Sequence, residues 1–237
     1  MVRSHLRRWA ALALALCIAL TLTACWGGEK DVTALVQGNI DEIYLGKFDD
    51  DYLKLVGISQ EEAQQAYLDG LEVEAEFFAN YWAISDTSIT YDQLDEGLRQ
   101  DIVDLYKEIY SHTKFEVKPA VKQSDGSYTV QVLVDPIDIM QLATDVYDSG
   151  SYQPLEDFWA KYGQVDLSAM SEEEYLALSN EYGALVVQLV EEQLDNLGYL
   201  EQKSLSLQIQ DSGDGVVSIN QDDWGTFDDY VIYYPGI

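Results

Sequence analysis

The sequence predicts an α+β fold in which an antiparallel sheet of about four strands is covered on one face by several amphipathic helices. Three segments begin with a Ser or Thr that is followed three residues later by Glu or Gln, and apolar residues then recur at helical spacing. Two other segments alternate apolar and polar residues around an Asp-Gly turn, which is typical of β-hairpins. Each hairpin has one apolar face, which helices must cover.

The first helix is predicted from about Asp31 to Leu45. Apolar residues recur there at three- and four-residue steps, and Gly46 suits the C-terminal end of a helix. The segment from Phe48 to Tyr52 follows. Its three consecutive aspartates predict a polar connection.

The three capped helices begin after Ser59, Thr90 and Ser171. The acidic or amide partners that complete their capping boxes are Glu62, Gln93 and Glu174. The apolar stripes are Ala63, Tyr67, Leu71, Phe78 and Trp82; Leu94, Leu98, Ile102, Leu105 and Ile109; and Leu178, Tyr182, Leu185, Leu189 and Leu197. The third helix is predicted to end at Gly198.

Two hairpins alternate with these helices, and one apolar face of each should meet them. The first turns at residues 124–127 and the second at residues 211–215. Pro119 cannot donate a backbone hydrogen bond, so its strand is predicted to be an edge strand or to carry a bulge. The residues predicted to face the helices are Phe115, Val130, Val132, Leu205, Leu207 and Ile219. Val117 and Val121 follow the alternation of Phe115 and so belong to the same apolar face.

Residues 137–150 and 154–162 are predicted as short helices separated by Gly150 and Pro154. The tail from Asp222 to Tyr234 is predicted as a helical turn followed by an extended end. Helices followed by a hairpin therefore occur twice. Either an internal duplication or chance would produce this order of elements.

The first 25 residues have the pattern of a secretory signal. Residues 1–8 contain three arginines and no acid, residues 9–24 are uncharged and apolar or small, and this apolar run is too short to span a bilayer. The run ends in Leu22-Thr23-Ala24-Cys25, which resembles the lipobox of bacterial lipoproteins. The resemblance implies that Cys25 becomes the first mature residue and carries a diacylglycerol. Two acyl chains would hold the protein at the extracytoplasmic face of the cell membrane.

These features predict three regions. Residues 1–24 form a lipoprotein signal peptide, residues 25–30 the lipidated cysteine and a tether, and residues 31–237 a single acidic α+β domain. An apolar content of 47% is ordinary for a globular domain and too high for an acidic disordered one.

The charge and the scarcity of cysteine and histidine restrict the chemistry. The net charge is −30, and cleavage after Ala24 would remove three arginines and no acid, which leaves −33. Nucleic-acid binding is disfavoured because phosphates would be repelled. Of two cysteines and two histidines, only Cys25 and His112 remain after cleavage. Neither an intrachain disulfide nor a multi-histidine metal site is then possible.

The order of elements resembles uncharacterised surface lipoproteins of Gram-positive bacteria with NTF2-like or cystatin-like α+β domains. The resemblance implies a curved sheet wrapped around a long helix, and it implies no catalytic residues or cofactor. Its motifs are Lys114-Phe115-Glu116-Val117, Asp125-Gly126-Ser127-Tyr128-Thr129-Val130, Val217-Ser218-Ile219-Asn220 and Asp222-Asp223-Trp224.

Candidate chemistry is sparse, and no catalytic, cofactor-binding or metal-ligating residue is predicted. His112 at the end of a helix suits the helix dipole better than a catalytic relay. Paired carboxylates could hydrolyse glycosides, but with 43 acids no pair can be selected. Clustered aspartates are consistent with a calcium site or with a solvated acidic surface. Tryptophans are consistent with a site that binds sugars or cations, or with the hydrophobic core. The residues concerned are Asp49, Asp50, Asp51, Asp211, Asp214, Asp222 and Asp223, and Trp82, Trp159 and Trp224.

The sequence therefore predicts a lipid-anchored surface protein whose only predicted site residue is Cys25. The leading hypothesis is a non-enzymatic module that binds a small ligand or an envelope protein. The alternatives are an extracellular hydrolase that uses paired carboxylates and a structural subunit of envelope assembly. An internal polar cavity would favour binding or hydrolysis, whereas a filled core with an exposed apolar patch would favour assembly.

Overall fold

The computed structural model describes residues 20–21, 28–211 and 216–236. Within these residues the chain forms eight α-helices and six strands, which confirms the α+β class. The helices are α1 Glu29–Leu45, α2 Asp50–Val56, α3 Gln60–Tyr81, α4 Glu96–Ser111, α5 Ile139–Asp148, α6 Gln153–Tyr162, α7 Glu172–Glu191 and α8 Gln221–Val231. The strands are β1 Leu20–Thr21, β2 Lys114–Val117, β3 Val121–Lys122, β4 Tyr128–Asp135, β5 Lys203–Asp211 and β6 Val216–Ile219.

The strands form one antiparallel sheet in the order β1-β6-β5-β4-β2, and β3 also pairs with β4. The two predicted hairpins are therefore present, and β4 and β5 join them into a single sheet. Strand β1 lies inside the predicted signal peptide and pairs with residues 216–217. If residues 1–24 are removed as predicted, β1 leaves with them and β6 becomes an edge strand.

Helices cover one face of the sheet. Helices α1 and α8 contact the strands, α3 and α4 pack behind α1, and α7 contacts α4, α5 and α6. The inward residues of the central strands are fully buried, whereas Phe115 and Leu205 near the strand ends are half-buried. The buried sheet residues are Val130, Val132, Val134, Leu207, Ile209, Val217 and Ile219.

The predicted inward position of Val121 is wrong, because a bulge precedes it. Val117 pairs with Val132 and Val121 pairs with Thr129, so the edge strand has one residue more than β4 between these pairs. One extra residue reverses which face the following side chains occupy. Val121 is consequently 58% exposed, and Ala120 is buried in its place. Pro119 lies in this bulge at the sheet edge, as predicted.

Three predicted boundaries need correction. The predicted polar connection at Phe48–Tyr52 ends at Asp49, and α2 begins at Asp50. The Asp49 side chain accepts hydrogen bonds from two backbone N–H groups and caps that helix. Thr90 begins only a 3-10 turn, Tyr91–Gln93, and α4 starts at Glu96.

The third correction concerns the end of α7. The helix stops at Glu191, a 3-10 turn at Leu194–Asn196 follows, and Gly198 lies beyond both. The backbone N–H of Gly198 donates instead to Asp138, across 60 residues. The capping boxes at Ser59 and Ser171 and the start and end of α1 agree with the predictions to within two residues.

Candidate functional site

The predicted lipidation site lies outside the described residues, since residues 22–27 are not described. Leu22, Thr23, Ala24 and Cys25 therefore stay a prediction from sequence. In the part of the chain that is described, no helix is both long and apolar enough to cross a bilayer.

A pocket of about 300 Å³ lies at the elbow between α5 and α6. Helix α5 ends at Asp148, and Gly150 follows with a φ of +62°, a left-handed conformation that reverses the chain. Helix α6 then begins with Pro154 in its first turn. The turn brings the end of α5 against the start of α6. The pocket is lined by Tyr147, Asp148, Gly150, Tyr152, Leu155, Glu156 and Trp159.

Contacts with the core hold the aromatic walls of this pocket. The ring of Tyr147 lies 5.6 Å from that of Trp82, and its hydroxyl accepts a 3.4 Å hydrogen bond from Tyr182. The ring of Trp159 lies 5.5 Å from that of Tyr182 and 4.9 Å from that of Phe158. Trp159 is nevertheless 41% exposed, whereas Trp82 and Trp224 are buried. A large aromatic surface is therefore fixed in place and open to solvent.

The polar part of the pocket is negatively charged. Asp148 and Glu156 are exposed, and within the described residues neither forms an ion pair. The buried Tyr152 donates a 3.3 Å hydrogen bond from its hydroxyl to Glu192. Burial first, and then the neighbouring negative charge of Glu192, raise the pKa of Tyr152 to about 12. The Tyr152 hydroxyl therefore stays protonated at neutral pH.

A second pocket, of about 510 Å³, lies between residues 88–89 and the start of α7. Its polar groups are occupied by local turns. The Ser168 hydroxyl donates to Asp166, the Ser171 hydroxyl donates to Glu174, and the Tyr175 hydroxyl donates to Asp86. Only one aromatic side chain, Tyr175, lines it. This pocket has fewer groups free to recognise a ligand than the pocket between α5 and α6.

Three carboxylates are buried in the core and line neither described pocket: Glu42, Glu74 and Asp228. The Tyr52 hydroxyl donates to Glu42 over 2.7 Å, and the Tyr44 hydroxyl donates to Asp228 over 2.8 Å. The hydrolase hypothesis requires a cleft with a carboxyl group buried against an aromatic ring. Glu42 and Asp228 are part of the core hydrogen-bond network instead.

His112 caps the C-terminal end of α4, where a cation would complement the helix dipole. Its ring is partly exposed and lies 3.3 Å from Glu108 Oε1, one helical turn earlier. Its backbone carbonyl accepts a hydrogen bond from the hydroxyl of Tyr199. His112 thus lies at the end of a helix, and it lines neither of the two described pockets.

Three of the aspartates considered for calcium have structural roles in the described part of the chain. Asp49 caps α2, Asp51 pairs with Lys54, and the Asp223 carboxylate accepts a 2.8 Å hydrogen bond from the backbone of Gln208. The Asp211 side chain and the whole of Asp214 are not described. Across the described ranges, no three His, Cys, Asp or Glu side chains are gathered in a way that could hold a metal ion.

The sequence drew attention to Trp159 but not to the other pocket residues. The sequence does contain an indication of this pocket. Aromatic residues interleaved with acids lie on both sides of the Gly-containing break between two short helices, namely Tyr147, Tyr152 and Trp159. Glu156 and Trp159 are three residues apart and so share a face of α6. Which aromatic residues remain exposed could not be derived from this spacing.

Comparison with known proteins gives one fold relative. No protein-family model and no curated protein sequence matches the chain. A crystal structure of a Bacillus subtilis protein described as a "putative lipoprotein (ycdA)" is similar, with a TM-score of 0.54 and 19% sequence identity. The match covers 85% of this chain and 56% of the other. It supports a shared fold, while the finer likeness to NTF2-like domains stays a prediction.

Proposed function

We propose that this protein is a lipid-anchored binding protein of the cell envelope, and that the pocket between α5 and α6 holds its ligand. The anchor is Cys25, which would carry the lipid at the extracytoplasmic face of the membrane. The basic first eight residues, the uncharged stretch after them and the Leu-Thr-Ala-Cys sequence support this part of the proposal. The description of the Bacillus subtilis fold relative as a lipoprotein agrees with it.

The observation that carries the binding role is the exposed ring of Trp159 beside Tyr147 and Tyr152. Trp and Tyr are enriched at binding interfaces, because they combine a large apolar ring with a polar N–H or O–H group. A volume of about 300 Å³ is at the lower end of the range for small-molecule sites. The site thus suits a small ligand or one end of a larger one.

Binding without catalysis fits the ionisable groups that line this pocket. Tyr152 is held protonated by its raised pKa, so it is a poor general base at neutral pH. Asp148 and Glu156 are exposed rather than buried against a ring. The carboxyl group that acts as the acid in glycoside hydrolysis is instead buried in an apolar environment.

A fluorine NMR screen of the mature lipidated protein in detergent tests the proposal. The protein is labelled with 5-fluorotryptophan, and the resonance of Trp159 is assigned with Trp159→Phe. Small-molecule fragments that bind should shift the Trp159 resonance and leave that of Trp224, buried in α8, unchanged. Fragments that bind Trp159→Ala as tightly as the unmodified protein would show that the ligand site lies elsewhere.

A further inference from the structure

We infer that the ligand of this pocket carries an ammonium group, either a quaternary ammonium or the protonated amine of an alkyl chain. The inference rests on the proposed binding role of the pocket and adds the chemical class of its ligand. It follows from three observations: unpaired negative charge, aromatic walls and charged groups that only accept hydrogen bonds.

The first observation is the charge. Asp148 and Glu156 line the pocket, no Lys or Arg lines it, and neither acid has an ion-pair partner in the described part of the chain. Glu192 adds a third carboxylate at the hydroxyl of Tyr152. In a chain of net charge −30, such a concavity attracts cations and repels anions. A cation would reduce the local repulsion, whereas a neutral ligand would leave it unchanged.

The second observation is the aromatic wall. Tyr147, Tyr152 and Trp159 offer three rings, and a cation over the face of a Trp or Tyr ring is attracted by its quadrupole. The protein contains the same contact elsewhere on α6, where Lys161 Nζ lies 4.5 Å from the centre of the Tyr162 ring. Lys161 also bonds Glu181, at 2.9 Å, so it is engaged outside the pocket. Rings together with carboxylates are the usual surroundings of a bound ammonium.

The third observation is the hydrogen-bonding capacity of the charged groups. A sugar needs both donors and acceptors for its hydroxyl groups. Two of the donors at this elbow are already used, since the Gly150 N–H bonds the carbonyl of Tyr147 and the Tyr152 hydroxyl bonds Glu192. The Tyr147 hydroxyl, which accepts from Tyr182, and the indole N–H of Trp159 are the uncharged side-chain donors that remain in the lining. The carboxylates only accept hydrogen bonds when ionised. The charged groups therefore favour a ligand that donates hydrogen bonds or carries positive charge, and the sugar among the test ligands below checks the alternative.

A pair of matched ligands tests the inference. Choline and 3,3-dimethyl-1-butanol have nearly the same shape, but only choline is charged. Titrated into the lipidated protein at constant ionic strength and followed by the fluorine resonance of Trp159, choline should bind roughly 2- to 30-fold more tightly, the range expected for a cation–π contact. Tetramethylammonium and N-acetyl-lysine methylamide serve as further cations.

Variants on α6 identify the groups responsible. Trp159→Ala should weaken choline binding about fivefold or more, and Trp159→Phe should retain part of it. In these two variants, and in the charge variants below, binding is followed by isothermal titration calorimetry.

Glu156→Gln should weaken binding as well. Asp157→Asn is the matched control, because it removes the same charge from the next residue, which is exposed, bonded to Gln153 and outside the pocket. Equal losses in the two charge variants would indicate diffuse attraction and overturn a defined site.

The outcomes separate this inference from the proposed function. Equal binding of choline and its neutral isostere, or no binding of any of the three cations below ~10 mM, overturns the ammonium ligand. If tri-N-acetylchitotriose then binds in a Trp159-dependent manner, the binding role stands and only the ligand class is wrong. If that sugar and the fragment library also fail to shift the Trp159 resonance, the proposed function fails too.

Discussion

The hydroxyl of Tyr52 donates a 2.7 Å hydrogen bond to Glu42, and this bond joins α2 to α1 inside the core. Both residues are buried, at 4% and 6% exposure. Burial raises the pKa of the Glu42 carboxyl, and the hydrogen bond from Tyr52 lowers it by a smaller amount. The folded state therefore holds the proton of Glu42 more tightly than the unfolded state does.

This relationship predicts a pH dependence of stability. Because the pKa of Glu42 is higher in the folded state than its ordinary value of 4.5, the folded state binds more protons than the unfolded state between the two values. The contribution of Glu42 to the free energy of unfolding must then be complete below pH 4.5 and fall as the pH rises through the folded-state pKa.

Glu42→Gln should remove this contribution while keeping an acceptor for Tyr52. Urea unfolding from pH 4 to pH 7 should show the variant gaining stability relative to the unmodified protein as the pH rises. Glu61→Gln, an exposed position in the first turn of α3, is the control and should show no such trend. Parallel curves for Glu42→Gln and the unmodified protein would contradict the prediction.

Gly38 allows the same pair of helices to approach closely. A Cβ added at Gly38 would lie 2.0 Å from Cδ2 of Tyr52, so Gly38→Ala must displace the ring that bonds Glu42. We expect a loss of about 1–3 kcal/mol in the free energy of unfolding, as for overpacked cores. Gly97→Ala on α4 meets no atom within 4 Å and should be neutral or stabilise by up to ~1 kcal/mol. Similar effects at the two positions would show that the close approach is unimportant.

Val132 lies at the centre of the inward face of β4 and is fully buried. Val132→Asp would place an unpaired charge there and should cost several kcal/mol, roughly 3 or more. Gln131→Asp, on the next residue of the same strand, puts the same side chain on the exposed face and should cost far less. Chemical denaturation monitored by circular dichroism measures both. Near-native stability of Val132→Asp would mean that this face is not core.

Cys25→Ala should abolish lipidation and release or mislocalise the protein. Fractionation of cells and mass spectrometry of the purified chain measure both effects. Cys17→Ala is the matched control, because Cys17 belongs to the predicted signal peptide and should leave anchoring and mature mass unchanged. If the Cys25→Ala protein stays in the membrane fraction with an unchanged mass, the lipobox prediction is wrong.

The charge of the whole chain predicts a response to salt and divalent cations. Acids are distributed along the chain, and repulsion among them is relieved by screening. Both kinds of ion should therefore raise the melting temperature gradually, without a defined stoichiometry. Calorimetric titration of calcium at fixed ionic strength tests this. One saturable site of micromolar affinity would overturn it and would identify Asp211, Asp214, Asp222 and Asp223 as ligands to be tested.

Elements with strong local signals were predicted well. The boxes at Ser59 and Ser171 are satisfied within four residues of chain, so they form wherever the helix forms. The hairpin strands likewise follow from alternation. The prediction failed at Thr90, where the side chain of Gln93 bonds the backbone N–H of Thr90 but Leu94 is extended and the helix starts later. A capping box marks where a helical turn begins, but tertiary packing determines how many residues the helix contains.

The bulge at Pro119 shows the limit of such patterns. The missing N–H of proline predicts that the ladder is interrupted. Whether the interruption also adds a residue depends on the register in which the strand resumes pairing with β4. In the structure a residue is added, so Val121 faces solvent and Ala120 faces the core.

From the sequence by itself come the α+β class, the two hairpins, most of the helices and the predicted anchor at Cys25, because each depends on residues close together in the chain. The tertiary structure alone decided where the pocket lies. Tyr147 and Trp159 are held by Trp82 and Tyr182, which are 65 and 23 residues away from them respectively, so no local pattern specifies their exposure. The open side of Trp159 results from where α6 packs against α7, and packing is a property of the whole fold.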